Sequence, residues 1–274
     1  MTGNTLVTVT FILLCHDSAE RVITLVRQLL EEDPDCRVIV HLDKKSPKDT
    51  FRKLVSALDD EPRCHLMRNR VRCGWGKWGL VEAPLRALRY ALDQEVLSDY
   101  FYLISEYCRP VRPLIELREF LTENQGTDFI ECEPSDWIRG GIREDRYLYR
   151  HYLDKRKHPK LHRWMYRVQK KLGLKRQHPK SFEVRFGSQW WCLSLGTIKK
   201  ILYIATHESE FRRFRSAWIP DECYFQSIVY KVSVATVESR SLVYTDFDQS
   251  GKALMLMRCH DVPSGFFFAR KYMS

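Results

Sequence analysis

Two apolar runs joined by a helical stretch limit what this chain can fold into. Val9, Phe11, Ile12, Leu13 and Leu14 make a nearly unbroken apolar run over residues 7–15. A run without alternation suits a parallel strand covered on both faces. Asp17 or Ser18 then caps a helix carrying Val22, Ile23, Leu25, Val26, Leu29 and Leu30, and Pro34 ends it. Val38-Ile39-Val40-His41-Leu42 is a second strand, stopped by Asp43-Lys44-Lys45-Ser46-Pro47. Strand, helix and strand in this order open a doubly wound α/β sheet. Ligands of such sheets bind beyond the carboxyl ends of the strands, here His16-Asp17 and Asp43 to Ser46. Neither GxGxxG nor GxxxxGK[ST] follows the first strand, so a dinucleotide fingerprint and a P-loop are excluded.

The rest of the chain continues the pattern. Residues 52–58 and 114–121 read as helices. So does a run with Trp78, Val81, Leu85, Leu88 and Leu92 at spacings of three and four, with Pro84 near its first turn. Residues 99–105, 128–133, 184–194 and 232–237 read as strands, and 197–204 as a helix. No repeat or linker interrupts the series, and 274 residues at 44% hydrophobic content suffice for one large domain. The expectation is a single α/β domain over residues 1–274 with a mixed central sheet and a basic insertion at 150–180.

That insertion carries the charge. Residues 150–180 hold 12 Lys and Arg against one acid, Asp154, while the whole chain is only +10. Within it, Leu161, Trp164, Met165, Val168 and Leu172 fall on one helical face. Either the stripe packs on the domain, its cations solvated or lining a groove for an acidic glycan, or it lies in an anionic membrane interface. Aromatic residues interleave with the cations as in nucleic-acid binders. No RRM, KH, zinc-finger or helix-turn-helix pattern accompanies them, so nucleic acid is not an expected partner. The nine cysteines form no CxxC pair and no metal-ligand spacing with histidine, and several sit in apolar runs. A reducing compartment is favoured. No run approaches the roughly 20 apolar residues of a membrane span, and the first strand lacks a basic leader. The expected location is cytoplasmic, peripheral at the inner membrane face if the stripe meets lipid.

Trp218-Ile219-Pro220-Asp221-Glu222 is the stretch richest in chemistry. Tyr224, Phe225, Ile228 and Val229 follow with helical spacing, and Pro220 suits a first helical turn. The two carboxylates then meet the positive end of the helix dipole. Read alone, this is an acidic helix start; the sharper reading is a positioned general base.

Six pieces in order sharpen it: His41-Leu42-Asp43-Lys44-Lys45-Ser46, the Trp75-Gly76 loop, Tyr102-Leu103-Ile104-Ser105, Gly187-Ser188-Gln189-Trp190-Trp191, Pro220-Asp221-Glu222 and Phe268-Ala269-Arg270-Lys271-Tyr272. With these the chain resembles the core-2/I-branching β-1,6-N-acetylglucosaminyltransferases and the related peptide O-xylosyltransferases, as a compact bacterial relative without their anchor, stem and disulfides. The resemblance implies a GT-A fold, a UDP-sugar donor, inversion at the anomeric carbon, a glycan or protein acceptor, and no cofactor or metal. Carried over residue by residue, it makes Glu222 the base, Lys271 and Arg240 the cations on the diphosphate, and Glu131 an acceptor ligand. His16, Asp43, Trp75 and Gln189 join the donor side, and Trp190 the acceptor side or the core. Asp246-Phe247-Asp248 has the form of a metal motif but lies past the catalytic stretch, where surface turn acids are the plainer reading. One departure stands out. The family's Gly-x-Asp-[Tyr/Phe]-Pro loop is here Glu106-Tyr107-Cys108-Arg109-Pro110, with Cys108 at the aspartate position. The alternative to an enzyme is a non-catalytic nucleotide-sugar or glycan binder or, with less support, a nucleic-acid-binding protein.

Overall fold

A computed structural model describes residues 6–138, 142–232, 236–248, 253–256 and 262–272. Its first half is built from β1 (Val9–Cys15), α1 (Ala19–Glu32), β2 (Arg37–Leu42), α2 (Lys48–Leu58), β3 (Cys64–Leu66), α3 (Gly79–Asp93), β4 (Tyr100–Ser105), β5 (Arg109–Pro110), α4 (Leu114–Glu123) and β6 (Thr127–Phe129). The second half adds α5 (Asp145–Leu148), α6 (Pro159–Lys171), β7 (Cys192–Ser194), α7 (Leu195–His207), α8 (Tyr224–Val232), β8 (Thr236–Glu238), β9 (Val243–Thr245) and β10 (Phe268–Arg270). Ser18 is the cap of α1, accepting the Arg21 amide at 3.2 Å.

Seven strands form one sheet in the order β3-β2-β1-β4-β7-β6-β8. β1, β2, β3 and β4 run parallel, β7 runs antiparallel to β4 and β6, and β8 is parallel to β6. The sheet is therefore mixed, as expected for the GT-A-type α/β class. β1 and β4 are buried at every position, which is why their sequences lack alternation.

A second sheet, β5-β10-β9, folds the C-terminal segment back onto this core. Phe268 is fully buried, with its ring 5.6 Å from Phe11 and 5.1 Å from Tyr102. A buried phenylalanine contributes about 2–3 kcal/mol, so this segment is held as core. Tyr272 donates its amide to the Tyr107 carbonyl at 2.9 Å, which brings Arg270 and Lys271 to the loop after β4.

Several expectations change. Only residues 192–194 of the stretch 184–194 form a strand, and 187–191 is an irregular loop. Its apolar residues are buried by packing instead of by strand pairing. The strand expected at 128–133 pairs only over Thr127–Phe129, with one further bridge from Glu133 to Phe186. Pro84 lies in the second turn of α3. The strand expected at 232–237 begins at Thr236, since Val232 closes α8, and residues 233–235 lie outside the described set. Eight cysteines are free thiols, and Cys259 lies outside the described residues. Among the described residues no helix is long and apolar enough to cross a membrane.

Candidate active site

Pro220–Glu222 forms a single 3₁₀ turn of its own, broken from α8 at Cys223. The carboxylates therefore precede the helix instead of opening it. Ile219, just before the turn, has φ +53°. A β-branched side chain rarely takes this left-handed conformation, which stores strain on the order of 1–3 kcal/mol. The Ile219 amide is held by the Gly76 carbonyl at 3.2 Å. Gly76 itself has φ +64°, and a Cβ there would lie 3.3 Å from Ile219 Cγ1 and 3.4 Å from the Trp218 ring. The Trp75-Gly76 loop is thus a clamp on the Pro220–Glu222 turn. Trp75 sits edge-on to Trp218 at 6.1 Å, with the Arg156 guanidinium 4.0 Å over its ring. That places it on the Trp218 side, whereas the reading from sequence put it with the donor.

Glu222 accepts from Arg146 Nη1 at 2.6 Å. Burial pushes the Glu222 carboxyl up; the Arg146 charge and hydrogen bond pull it back. Asp221 is buried deeper, and desolvation, with Glu222 beside it, pushes its carboxyl up to about 7. Asp221 Oδ1, Arg146 Nε and Trp218 Nε1 are buried without hydrogen-bond partners among the described residues. Each such atom costs about 1–3 kcal/mol, and their gathering here marks a place built for more than stability.

Glu131 comes to the same place through Gly187. A Cβ on Gly187 would lie 2.2 Å from the Glu131 carbonyl oxygen, so only glycine fits. The Gly187 amide donates to the Glu222 carbonyl at 3.0 Å, and the Ser188 amide to Glu131 Oε2 at 2.7 Å. Burial, the larger effect, raises the Glu131 carboxyl. Glu131 and Glu222 are thus brought to either side of one backbone crossing. Gln226, from α8, fastens it by donating to the Ser188 carbonyl at 2.8 Å.

Of the residues expected on the donor side, His16 and Asp43 collect with Glu106 at the ends of β1, β2 and β4. Asp43 accepts the Lys45 amide at 2.8 Å and the Cys73 amide at 3.2 Å through Oδ1. Glu106 is fully buried and accepts the amides of His16, Asp17 and Ser18 at 2.9–3.3 Å. It also takes His16 Nδ1 at 2.8 Å, and this hydrogen bond raises the His16 pKa. The departure at Cys108 thus has a physical counterpart. The thiol is buried against Ser105, and the carboxylate of this loop stands two residues earlier, at Glu106.

Loop 187–191 joins the two sides. Gly187 and Ser188 touch Glu131, while Trp190 lies under the Arg270 guanidinium at 4.6 Å. Trp190 is 4% exposed and Trp191 fully buried, so both belong to the core, and Trp190 is no open sugar platform. Gln189, half-buried, lies between the two ends. Arg240 is engaged elsewhere: it pairs with Glu238, donates to the Gly265 carbonyl at 2.9 Å and lies over Phe120 and Phe129. Arg270 does not share that engagement, since its enclosed Nε has no partner among the described residues. Lys271 is half-buried next to it. Asp246 Oδ1 caps the Phe247 amide at 2.9 Å. Sequence reading missed Arg146, Glu106 and Arg270. Arg270 was signalled by its place beside Lys271; the other two had no local signal.

The profile of the Core-2/I-Branching enzyme family matches residues 9–268. Xylosyltransferase oxt of Drosophila melanogaster is 24% identical over 205 residues, covering 72% of this chain and 21% of that protein. Its counterpart in Drosophila pseudoobscura pseudoobscura is 24% identical over 236 residues, covering 83% of this chain and 25% of that protein. The chain therefore spans a quarter or less of the length of these relatives. Among solved structures, S. aureus TarS gives a TM-score of 0.39 at 11% identity over 77% of this chain and 33% of its own. The mannosyltransferase Ktr4p from S. cerevisiae in complex with GDP gives 0.36 at 11% identity over 82% and 66%. Likeness this weak adds nothing to the argument. The profile, spanning nearly all of the chain, does: the chain belongs to the Core-2/I-branching enzyme family.

Proposed function

We propose that the protein is a glycosyltransferase that moves a sugar from a UDP-sugar to a hydroxyl of a glycan or protein, with inversion and without a metal. N-acetylglucosamine and xylose are the leading sugars. The observation that carries this reading is the half-buried Glu222 carboxylate, held by Arg146 and set against Glu131 across Gly187. Glu131 would hold the acceptor by its hydroxyls. Glu222 takes the proton as the acceptor oxygen attacks the anomeric carbon from the face opposite UDP. The bond from that carbon to the phosphate oxygen breaks, and the electron pair leaves with UDP. Arg270 and Lys271, from the returning C-terminal strand, meet the charge that develops on the diphosphate. We assign this role to Arg270 in place of Arg240, whose guanidinium serves Glu238 and Gly265. His16 and Asp43 face the rest of the nucleotide. A location at the cytoplasmic face of a membrane is a separate proposal and rests on the basic helix alone.

The test is Glu222→Gln, assayed with UDP-N-acetylglucosamine and UDP-xylose against a panel of acceptors. Transfer is expected to fall by roughly 10²–10⁴-fold with UDP binding nearly unchanged. A variant keeping more than about a tenth of wild-type rate would remove Glu222 from the reaction. A wild type that binds the donors and transfers neither would favour the non-catalytic binder.

A further inference from the structure

Helix α6 is docked the wrong way round for an ordinary surface helix. Its inward side is polar and aromatic. His162 Nε2 lies 3.2 Å from His151 Nδ1, and the His162 ring packs 5.9 Å from Trp218. Tyr166 donates to the Asp145 carboxylate, and Gln169 donates to the Arg150 carbonyl at 2.9 Å while accepting its amide at 3.0 Å. His162 is the helix's buried residue.

The apolar side is left largely outward, with Met165 and Val168 half-buried at its inner edge. Leu161 is 47% exposed, Trp164 60% and Leu172 64%, and Leu174 just past the helix is 49% exposed. Lys160, Arg163, Arg167 and Lys171 are exposed along the flank of this stripe and form no ion pair among the described residues. The helix thus has three faces: one bonded to the domain, one apolar and one cationic. A soluble protein rarely leaves large apolar side chains together without a partner.

We infer that the outer side of α6 docks on an anionic lipid bilayer, its apolar stripe in the headgroup boundary and its cations on the lipid phosphates. Charge decides among the occupants. A second copy would bring another segment of 12 cations and one acid against this one, and repel it. An acidic glycan would satisfy the cations but would leave Trp164 and Leu172 in water. An anionic bilayer meets both faces together. Because Trp218 packs on His162 and leads directly into the Pro220–Glu222 turn, the lipid surface would lie beside the acceptor side of the site. This docking goes beyond the transfer reaction and can hold whether or not Glu222 is its base.

The experiment is co-sedimentation of the full chain with vesicles of mixed phosphatidylglycerol and phosphatidylcholine, and with phosphatidylcholine alone. Binding is expected to the anionic vesicles only, weakening as salt rises. Trp164→Glu should lower partition by about tenfold or more. Lys160→Gln and Arg167→Gln should each lower it about fivefold at low salt. All three residues are exposed, and unchanged circular dichroism checks that the variants fold. Absence of binding to anionic vesicles at low salt overturns the inference. So does binding that Trp164→Glu leaves intact, which would mark a polyanion groove, or a wild-type dimer that Trp164→Glu dissolves, which would assign the stripe to a second copy.

Discussion

Arg146 opposes what burial does to Glu222. Burial favours the neutral acid, which cannot accept a proton, and the guanidinium 2.6 Å away works against it. A base with a raised pKa gains activity as pH rises through that value, since only the carboxylate takes the hydroxyl proton. Removing the cation raises the value further. Arg146→Met is therefore expected to shift the acid limb of kcat/KM to higher pH, with part of the wild-type rate returning on the alkaline side. A pH–rate profile of both proteins checks it, and an unshifted limb would mean that Arg146 serves only packing. No reading of the sequence points to this residue. It sits 76 positions before its partner, in a segment whose charge looks like solvated surface. From the residues alone Glu222 reads as an acidic helix start, and its expected role as base comes from the family resemblance. Glu106 was hidden because its role depends on three amides from another strand end.

Among the elements, loop 187–191 carries more than its irregular form suggests. Its glycine lies where a backbone crosses Glu131, with no space for a methyl group. Gly187→Ala must push that crossing apart, at a stability loss of about 1–3 kcal/mol. Because Glu131 and Glu222 share the crossing, transfer should fall by more than the stability loss explains. Urea melts together with acceptor KM and kcat at a temperature where both proteins are folded will separate the two effects. An alanine variant of wild-type stability and rate would show that the crossing relaxes freely. The same stretch explains where strand prediction failed. Val184, Phe186, Trp190 and Trp191 are buried as a strand's residues would be, but their partners are α8, Arg270 and the core. The opening β1-α1-β2 unit was legible because its apolar runs are long and its cap is local. The three-residue strands β6, β7 and β8 are too short to show a period.

For the whole molecule, the proposed donor-binding part of the site draws on residues far apart in the sequence. His16 and Asp43 come from the first strands, Arg270 and Lys271 from the last. UDP bridging them should tie the C-terminal sheet to the main one and raise the melting temperature by mass action. Uridine, lacking phosphates, should do so far less. Arg270→Ala and Lys271→Ala should each remove most of the difference between the two ligands, as read by thermal shift. EDTA is expected to leave the UDP shift and the transfer rate unchanged. Strict dependence on Mn²⁺ or Mg²⁺ would overturn the metal-free reading and direct attention to Asp246 and Asp248. The doubly wound class was readable from apolar runs. Which arginine the returning C-terminal strand delivers was not, because Arg240 and Arg270 differ only in what surrounds them.

The backbone crossing at Gly187 also bears on how such an enzyme could diversify. The backbones that carry Glu131 and Glu222 are set by main chain touching main chain at Gly187, so exchanging neighbouring side chains cannot shift them by degrees. Drift in acceptor preference would have to work around that fixed gauge, through Trp75, Gln189 and the residues of the basic segment that rest on Trp218. A library aimed at new acceptors should therefore randomise those rim positions and leave the glycine alone.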